Sequence, residues 1–134
     1  MILLDTHVLV RYMHDDGKLG KRALSVIERA VASDELFVSA ISFWEVATLV
    51  AKGRLELDTT PAAFRDLAIR NGAREQVLDG EIATLAGELP AAHGDPADRM
   101  LVATAILRCL TLVTADAVLL DWKLRGFRTR DATE

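Results

Sequence analysis

Four acidic residues have the types and positions needed for chemistry with a metal ion: Asp5, Glu45, Asp98 and Asp116. Each lies near the carboxyl end of a short apolar run or within a helix predicted beside one. An α/β sheet gathers the ends of its strands into one crevice, so carboxylates far apart in sequence can form one pocket. Oxygen ligands suit Mg²⁺ or Mn²⁺, ions that commonly assist the cleavage or transfer of phosphates. The pattern therefore predicts metal-dependent phosphodiester chemistry.

Structural roles could also explain Asp5 and Glu45 when each is taken alone. Asp5 could cap the helix that starts at Thr6. Glu45 stands three residues after Ser42, which is the spacing of a capping box, but a helix starting at Ser39 would place Glu45 inside it. In that second register the carboxylate lies among apolar neighbours, where its desolvation is costly unless a positive charge compensates.

Asp98 and Asp116 have comparable alternatives. Asp95 followed by Pro96 favours a helix start, and an acid at Asp98 also suits the first turn. We assign Asp95 mainly to capping and Asp98 mainly to the site, because Asp98 lies one turn into the helix and points back toward the sheet edge. Asp116 directly follows a predicted strand, where it also favours the dipole of the next helix. Four acids gathered at one edge would repel one another, so we predict a bound divalent ion.

The elements that position these acids alternate between strands and helices. We predict strands at Ile2–Leu4, Leu36–Ser39, Gln76–Leu78 and Thr111–Val113, with an edge strand at Phe127–Thr129. We predict helices at Thr6–Met13, Leu19–Ala32, Ile41–Lys52, Pro61–Arg70, Glu81–Leu89, from Pro96 to about Leu110, and Asp116–Trp122. Strands separated by helices predict a parallel sheet with right-handed crossovers, in the α/β class.

Length and composition predict one domain, residues 1–134, because 51% hydrophobic content supplies a core for a chain of this size. Cys109 is the single cysteine, which excludes an internal disulfide framework and a cysteine-based zinc site. No signal peptide is indicated, and no apolar run reaches the length of a membrane span. We therefore expect a cytoplasmic protein with no membrane association.

The net charge of −4 argues against nucleic-acid binding by overall electrostatics, although local clusters can override it. Two basic clusters occur near the ends of the chain, and each taken alone is explained by a solvated surface. They comprise Lys18, Lys21 and Arg22 in the first, and Lys123, Arg125, Arg128 and Arg130 in the second.

Four segments, in this order, resemble the PIN-domain superfamily along essentially the whole chain. They are MILLDTHVLVRY, SAISFWEVATLVAKGRLEL, HGDPADRMLVATA and LVTAD. Within that superfamily the chain is most similar to the VapC-type toxin ribonucleases of type II toxin–antitoxin modules. The resemblance implies a three-layer α/β/α sandwich with a small parallel sheet of four to five strands. It also implies an endoribonuclease site that depends on Mg²⁺ or Mn²⁺.

The resemblance carries the family's acidic set onto Asp5, Glu45, Asp98 and Asp116. Thr6 and Thr114 match small polar positions that help to place water or phosphate in similar proteins. Arg99 matches a position that could contact phosphate, although a surface or structural salt bridge explains it equally well. This chain departs from the family where Ala97 replaces the usual aromatic residue. We assign no metal to His7 or His93, because a lone histidine in a helix or loop is more often structural or solvent-facing.

The resemblance also implies partners. Similar toxins form homodimers and are held inactive by a cognate antitoxin, whose basic side chain can enter the acidic pocket in place of the metal. This chain shows no helix-turn-helix, so we expect no direct DNA binding by it and assign operator binding to the partner.

Two alternatives to an RNA-cleaving enzyme stay open at this stage. A non-catalytic module of the same fold would bind RNA or protein, but the presence of all four acids disfavours it. A Mg²⁺-dependent phosphoacceptor or phosphatase domain also gathers acids at strand ends. The phosphoacceptor requires an acid beside Asp5 and a lysine after Val113, and a D-x-D phosphatase requires an acid where His7 stands; this sequence has none of these.

Overall fold

Five short strands form one parallel sheet in the computed structural model, which describes residues 1–90 and 95–134. The strands are β1 (Ile2–Leu4), β2 (Leu36–Ser39), β3 (Arg74–Gln76), β4 (Thr111–Thr114) and β5 (Arg128–Asp131). They lie in the order β3-β2-β1-β4-β5, and all neighbouring pairs are parallel. The apolar strand β1 is therefore central, with each of its three residues buried.

Helices cover both faces of this sheet. They are α1 (Thr6–His14), α2 (Lys21–Ala32), α3 (Ala40–Ala51), α4 (Pro61–Arg70), α5 (Gly80–Glu88), α6 (Pro96–Leu107) and α7 (Ala117–Asp121). Residues Leu4 and Val113 pack with α1, α2 and α4 on one face, whereas Leu3 and Leu112 pack with α5, α6 and α7 on the other. The alternation follows from the two-residue period of a strand. The predicted α/β/α sandwich is confirmed.

The order of the strands fixes where a ligand can enter. From β1 the chain moves outward through β2 to β3, then returns to place β4 on the other side of β1. Crossovers on opposite faces leave a crevice at the carboxyl ends of β1 and β4, the usual ligand-binding position in such sheets. Asp5 follows β1 and Asp116 follows β4 by one intervening residue, so both border this crevice.

The two edge strands lie elsewhere than predicted. The third strand is Arg74–Gln76 rather than Gln76–Leu78, and the last is Arg128–Asp131 rather than Phe127–Thr129. Neither has the apolar character on which the prediction relied. Side-chain contacts position β3 instead: the Arg74 guanidinium lies 5.1 Å from the centre of the Phe37 ring.

Several helix ends also differ from prediction. The second helix begins at Lys21 rather than Leu19, and the sixth ends at Leu107 rather than near Leu110. A positive φ of 55° at Cys109 explains the latter, because that left-handed conformation ends a helix. Among residues 1–90 and 95–134, no helix is long and apolar enough to cross a membrane. His93 lies outside the described residues.

Candidate active site

Asp5 occupies the position of a helix cap without acting as one. It precedes α1 and its side chain is 5% exposed, yet it makes no capping hydrogen bond to that helix. Its Oδ2 instead accepts a hydrogen bond from the Thr114 hydroxyl at 2.6 Å. Thr114 Oγ1 in turn accepts from the main-chain N–H of Asp116 at 3.1 Å. One fully buried threonine thus connects the ends of β1 and β4.

Glu45 projects toward the same edge from the second turn of α3. Ser39 caps this helix by accepting from the N–H of Ile41 at 3.1 Å, which places Glu45 inside the helix and excludes the capping box with Ser42. Thr6 Oγ1 lies 2.5 Å from Glu45 Oε1 and 2.9 Å from Ser42 Oγ. Thr6 has one hydroxyl proton, which it donates to the carboxylate while Ser42 donates to Thr6. The consecutive residues Asp5 and Thr6 therefore connect to different parts of the site: Asp5 to Thr114 at the end of β4, and Thr6 to Glu45 on α3.

The environment disfavours ionisation of both carboxyl groups. Burial raises the pKa of Asp5, the Thr114 hydrogen bond partly offsets this, and the Asp116 charge raises it further. Burial likewise raises the pKa of Glu45; the Thr6 hydrogen bond opposes that rise and the Asp5 charge adds to it. His7, exposed at the rim, lowers both pKa values. Asp5 thus interacts electrostatically with both Glu45 and Asp116, which a nearby cation would relieve.

Asp116 combines a structural role with a place at the crevice. Its Oδ1 caps α7 by accepting from the N–H groups of Val118 at 2.8 Å and Leu119 at 3.4 Å. It also lines a cleft of about 240 Å³ together with Asp5, His7, Arg11 and Ala115. The sequence did not predict that Arg11 lines this cleft, because the cleft forms only where the segment after β4 packs opposite α1.

Asp98 lies in the first turn of α6, where it is partly buried. Asp95 caps this helix through its Oδ1, which accepts from the N–H of Ala97 at 2.8 Å and of Asp98 at 3.3 Å. The residues before Asp98 border an open groove of about 240 Å³ that also contains Glu45. The groove is lined by Trp44, Glu45, Thr48, Leu49, Lys52, Asp95, Pro96 and Ala97. Asp98 is therefore the next residue in the chain after those that form the wall of the groove opposite α3, but it does not itself line the groove.

Arg99 has a set of contacts that sequence reasoning did not identify. Its guanidinium donates to the carbonyl oxygens of Ala86 at 2.9 Å, Leu89 at 2.5 Å and Pro90 at 3.1 Å. A fourth contact, to Gly87 O, is 3.4 Å long. These carbonyls lie at or just beyond the end of α5, where a helix has no internal donors for them. Arg99 thus attaches the start of α6 to the end of α5, a contact between elements that no local motif signals.

Two further basic residues near these acids, Arg108 and Lys52, differ in their surroundings. Arg108 forms ion pairs with Asp79 and Glu81 at the start of α5. Lys52 lines the groove beside Glu45, two helical turns beyond the 59% exposed Trp44. Lys52 is therefore available to a ligand in that groove.

The donor set suits a hard divalent cation. Asp5, Glu45 and Asp116 offer carboxylate oxygens, two of them with raised pKa values, and Thr6 and Thr114 hold two of the three carboxylates in place. Within residues 1–90 and 95–134, no three His, Cys, Asp or Glu side chains converge as a ready-made metal cage. Mg²⁺ does not require one, since it commonly binds through one or two carboxylates and completes its shell with water and substrate phosphate.

Comparison with known proteins identifies the family and supports the fold. The model of the PIN domain family matches residues 2–122, which include all four acids. The chain belongs to the PIN domain family. A curated relative, Ribonuclease VapC22 of Mycobacterium tuberculosis (strain ATCC 25618 / H37Rv), is 36% identical over 116 residues, which is 86% of each chain.

Solved structures show the same PIN fold at low sequence identity. A VapBC2 structure from Rickettsia felis, bound to a promoter DNA fragment, matches with a TM-score of 0.72 and 16% identity over 98% of both chains. A DNA-bound VapBC structure from Salmonella typhimurium matches with a TM-score of 0.68 and 17% identity, again over 98% of both chains. A toxin–antitoxin complex from Klebsiella pneumoniae matches with a TM-score of 0.62 and 19% identity over 95% of both.

Proposed function

We propose that this PIN domain is a metal-dependent endoribonuclease and the toxin of a type II toxin–antitoxin pair. The observation that carries the proposal is Asp5, a buried carboxylate at the switch point of the sheet that is withheld from capping its helix and interacts with Glu45 and Asp116. Keeping a buried carboxylate beside two other acids has an electrostatic cost, and the fold does not require it. The relative named Ribonuclease VapC22 supports RNA as the substrate.

In this proposal, Asp5, Glu45, Asp98 and Asp116 hold Mg²⁺ or Mn²⁺ at the crevice. The cation supplies charge neutralisation at the phosphate and lowers the pKa of the attacking water. The chain's own residues prepare the site. Thr114 holds one oxygen of Asp5, and Thr6 holds one oxygen of Glu45, so the other oxygen of each carboxylate would be left for the cation.

Arg99 has a positioning role in this proposal. Its contacts with the end of α5 fix the first turn of α6, and Asp98 is the neighbouring residue in that turn. A guanidinium committed to those carbonyl groups aligns Asp98 rather than binding phosphate itself.

The groove beside Glu45 favours an unpaired RNA strand as the substrate. An exposed indole, that of Trp44, offers a face on which a base can stack, and Lys52 offers a cation for a neighbouring phosphate. The cytoplasm, where such RNA is found, is the proposed location. Complexes of similar fold that contain toxin and antitoxin support an antitoxin partner for this chain, and we propose a homodimer as its oligomeric form.

The proposal is tested by cleavage of single-stranded RNA by purified, partner-free protein with Mn²⁺ or with EDTA. Wild type is expected to cleave only with the metal, and Asp5→Asn and Asp98→Asn are expected to lose activity while staying folded. Asp66→Asn is the matched control, because Asp66 is an exposed aspartate on α4. Equal cleavage by wild type and both site variants would identify a contaminating nuclease and refute the proposal.

A further inference from the structure

A second cleft, outside the carboxylate site, has four basic residues among the six that line it. It lies between α2 and β5, has a volume of about 300 Å³, and is formed by Lys21, Arg22, Ser25, Val26, Arg29 and Arg130. All four basic side chains are exposed, and no acidic residue is among those lining the cleft. In the part of the chain that the structure describes, no salt bridge neutralises any of the four.

The fold places Lys21 and Arg22 of the first basic cluster beside Arg130 of the second, and Arg29 of α2 completes the set. The main-chain N–H of Gly20 donates to Ala132 O, and that of Ala23 donates to Glu134 O, each at 2.9 Å. The approach is so close that a Cβ atom on Gly20 would lie 2.1 Å from Glu134 O. Two acids belong to this C-terminal segment: Glu134 lies beside the start of α2, and Asp131 accepts from the N–H and hydroxyl of Thr133, which holds its carboxylate within the turn. The main chain thus brings the four cations together, and neither of these acids lines the cleft.

The cleft lies close to the carboxylate site. Leu4, Val113 and Arg130 form one cross-strand row through β1, β4 and β5. Two strand spacings separate the main chain of Arg130 from that of Leu4, about 10 Å. Leu4 immediately precedes Asp5, so Arg130 lies two strands away from the residue that leads into the carboxylate site.

We infer that this basic cleft binds the sugar-phosphate backbone of the RNA substrate on one side of the cleaved bond. The inference rests on the proposed ribonuclease function. A protein of net charge −4 that also gathers acids at its site repels RNA overall, so productive binding requires a local positive surface. Guanidinium and ammonium groups without ion-pair partners can bind phosphate groups, but such contacts do not distinguish one base from another. The cleft would therefore set the path of the RNA strand and leave sequence preference to other contacts.

The test compares two double variants of equal net charge. Arg29→Gln with Arg130→Gln removes two cations from the cleft, whereas Arg70→Gln with Arg125→Gln removes two exposed arginines that do not line it. Binding of a fluorescently labelled single-stranded RNA is measured by anisotropy in EDTA, between about 50 and 200 mM salt. Each phosphate contact contributes about 0.7 to the slope of log K against log salt for single strands, so the cleft variant should lose about 1.4.

Cleavage provides a second readout. The cleft variant should show a raised KM with kcat preserved at saturating RNA, since it removes binding that is equal in ground and transition states. The control variant should match wild type in slope and in KM. Equal RNA affinity and salt slope in wild type, cleft variant and control would overturn the inference, while metal-dependent cleavage by all three would leave the proposed function standing. Absence of both RNA binding and cleavage by wild type would overturn both.

Discussion

Replacing Thr114 by valine should weaken the fold and the site through one lost hydroxyl. Valine has nearly the same shape, so the fully buried position stays filled. The Thr114 hydroxyl donates to Asp5 Oδ2 at 2.6 Å and accepts from the N–H of Asp116 at 3.1 Å. The variant therefore leaves one buried carboxylate oxygen and one main-chain donor without their partner.

The magnitude follows from these two contacts. A hydrogen bond to a charged group contributes about 1.5–3 kcal/mol, and a neutral one about 1 kcal/mol. Thr114→Val should therefore lower the free energy of unfolding by about 3 kcal/mol, or roughly 12 °C in Tm for a chain of this length. Thr104→Val is the matched control, because Thr104 is also fully buried but its hydroxyl bonds only to Met100 O of its own helix, at 2.7 Å. It should cost about 1 kcal/mol.

The difference should also depend on pH. The Thr114 hydrogen bond favours the charged form of Asp5 and so lowers its pKa against the effect of burial. Without the hydroxyl the pKa rises further, and the penalty of Thr114→Val should shrink as the pH falls and Asp5 becomes protonated. Urea unfolding of wild type and both variants at neutral and mildly acidic pH measures this. Equal losses for Thr114→Val and Thr104→Val, or a loss independent of pH, would refute the assignment of Thr114 to the carboxylate site.

Three other perturbations have defined outcomes. Gly20→Ala should lower Tm, because the added Cβ would clash with the main-chain oxygen of Glu134. Gly87→Ala lies in open space within α5 and should raise the free energy of unfolding by up to about 1 kcal/mol. Thermal melts in which both variants shift in the same direction would contradict this. Arg99→Gln should lower the free energy of unfolding by about 2 kcal/mol and increase amide hydrogen exchange at the end of α5. Unchanged exchange there would show that Arg99 does not hold the end of α5 to α6. Burial raises the pKa of Asp5 and of Glu45, so the folded state binds protons more tightly than the unfolded one. Metal-free protein should therefore gain stability as the pH falls through these raised pKa values toward the ordinary ones. Combining Asp5→Asn with Glu45→Gln should remove that gain in urea titrations, and an undiminished gain would assign it to other groups.

The sequence predicted the elements that carry strong local signals. The apolar residues of β1 and β2 and the Thr60-Pro61 helix start were sufficient to place those elements at their observed positions. Edge strands β3 and β5 were misplaced because they consist of polar residues, whose position depends on pairing with β2 and β4. Pairing partners are not encoded in local periodicity.

The same distinction applies to the site. Asp5 and Asp116 could be placed together because both follow strands, a consequence of parallel topology. The sequence could not show that Thr6 and Thr114 would hold Glu45 and Asp5, since each contact joins residues more than thirty positions apart. Nor could it show that Arg130 would join the basic residues of α2 in one cleft, because that depends on the close approach of the chain's last residues to the start of α2.

Mn²⁺ binding measured by electron paramagnetic resonance tests the central claim most directly, because free Mn²⁺ can be counted without RNA, partner or turnover. Wild type is expected to remove Mn²⁺ from solution saturably, and Asp5→Asn and Glu45→Gln are each expected to weaken that binding at least tenfold. The exposed-acid control Asp66→Asn should bind as wild type does. Equal Mn²⁺ affinity in all four proteins would contradict a metal site at the ends of β1 and β4.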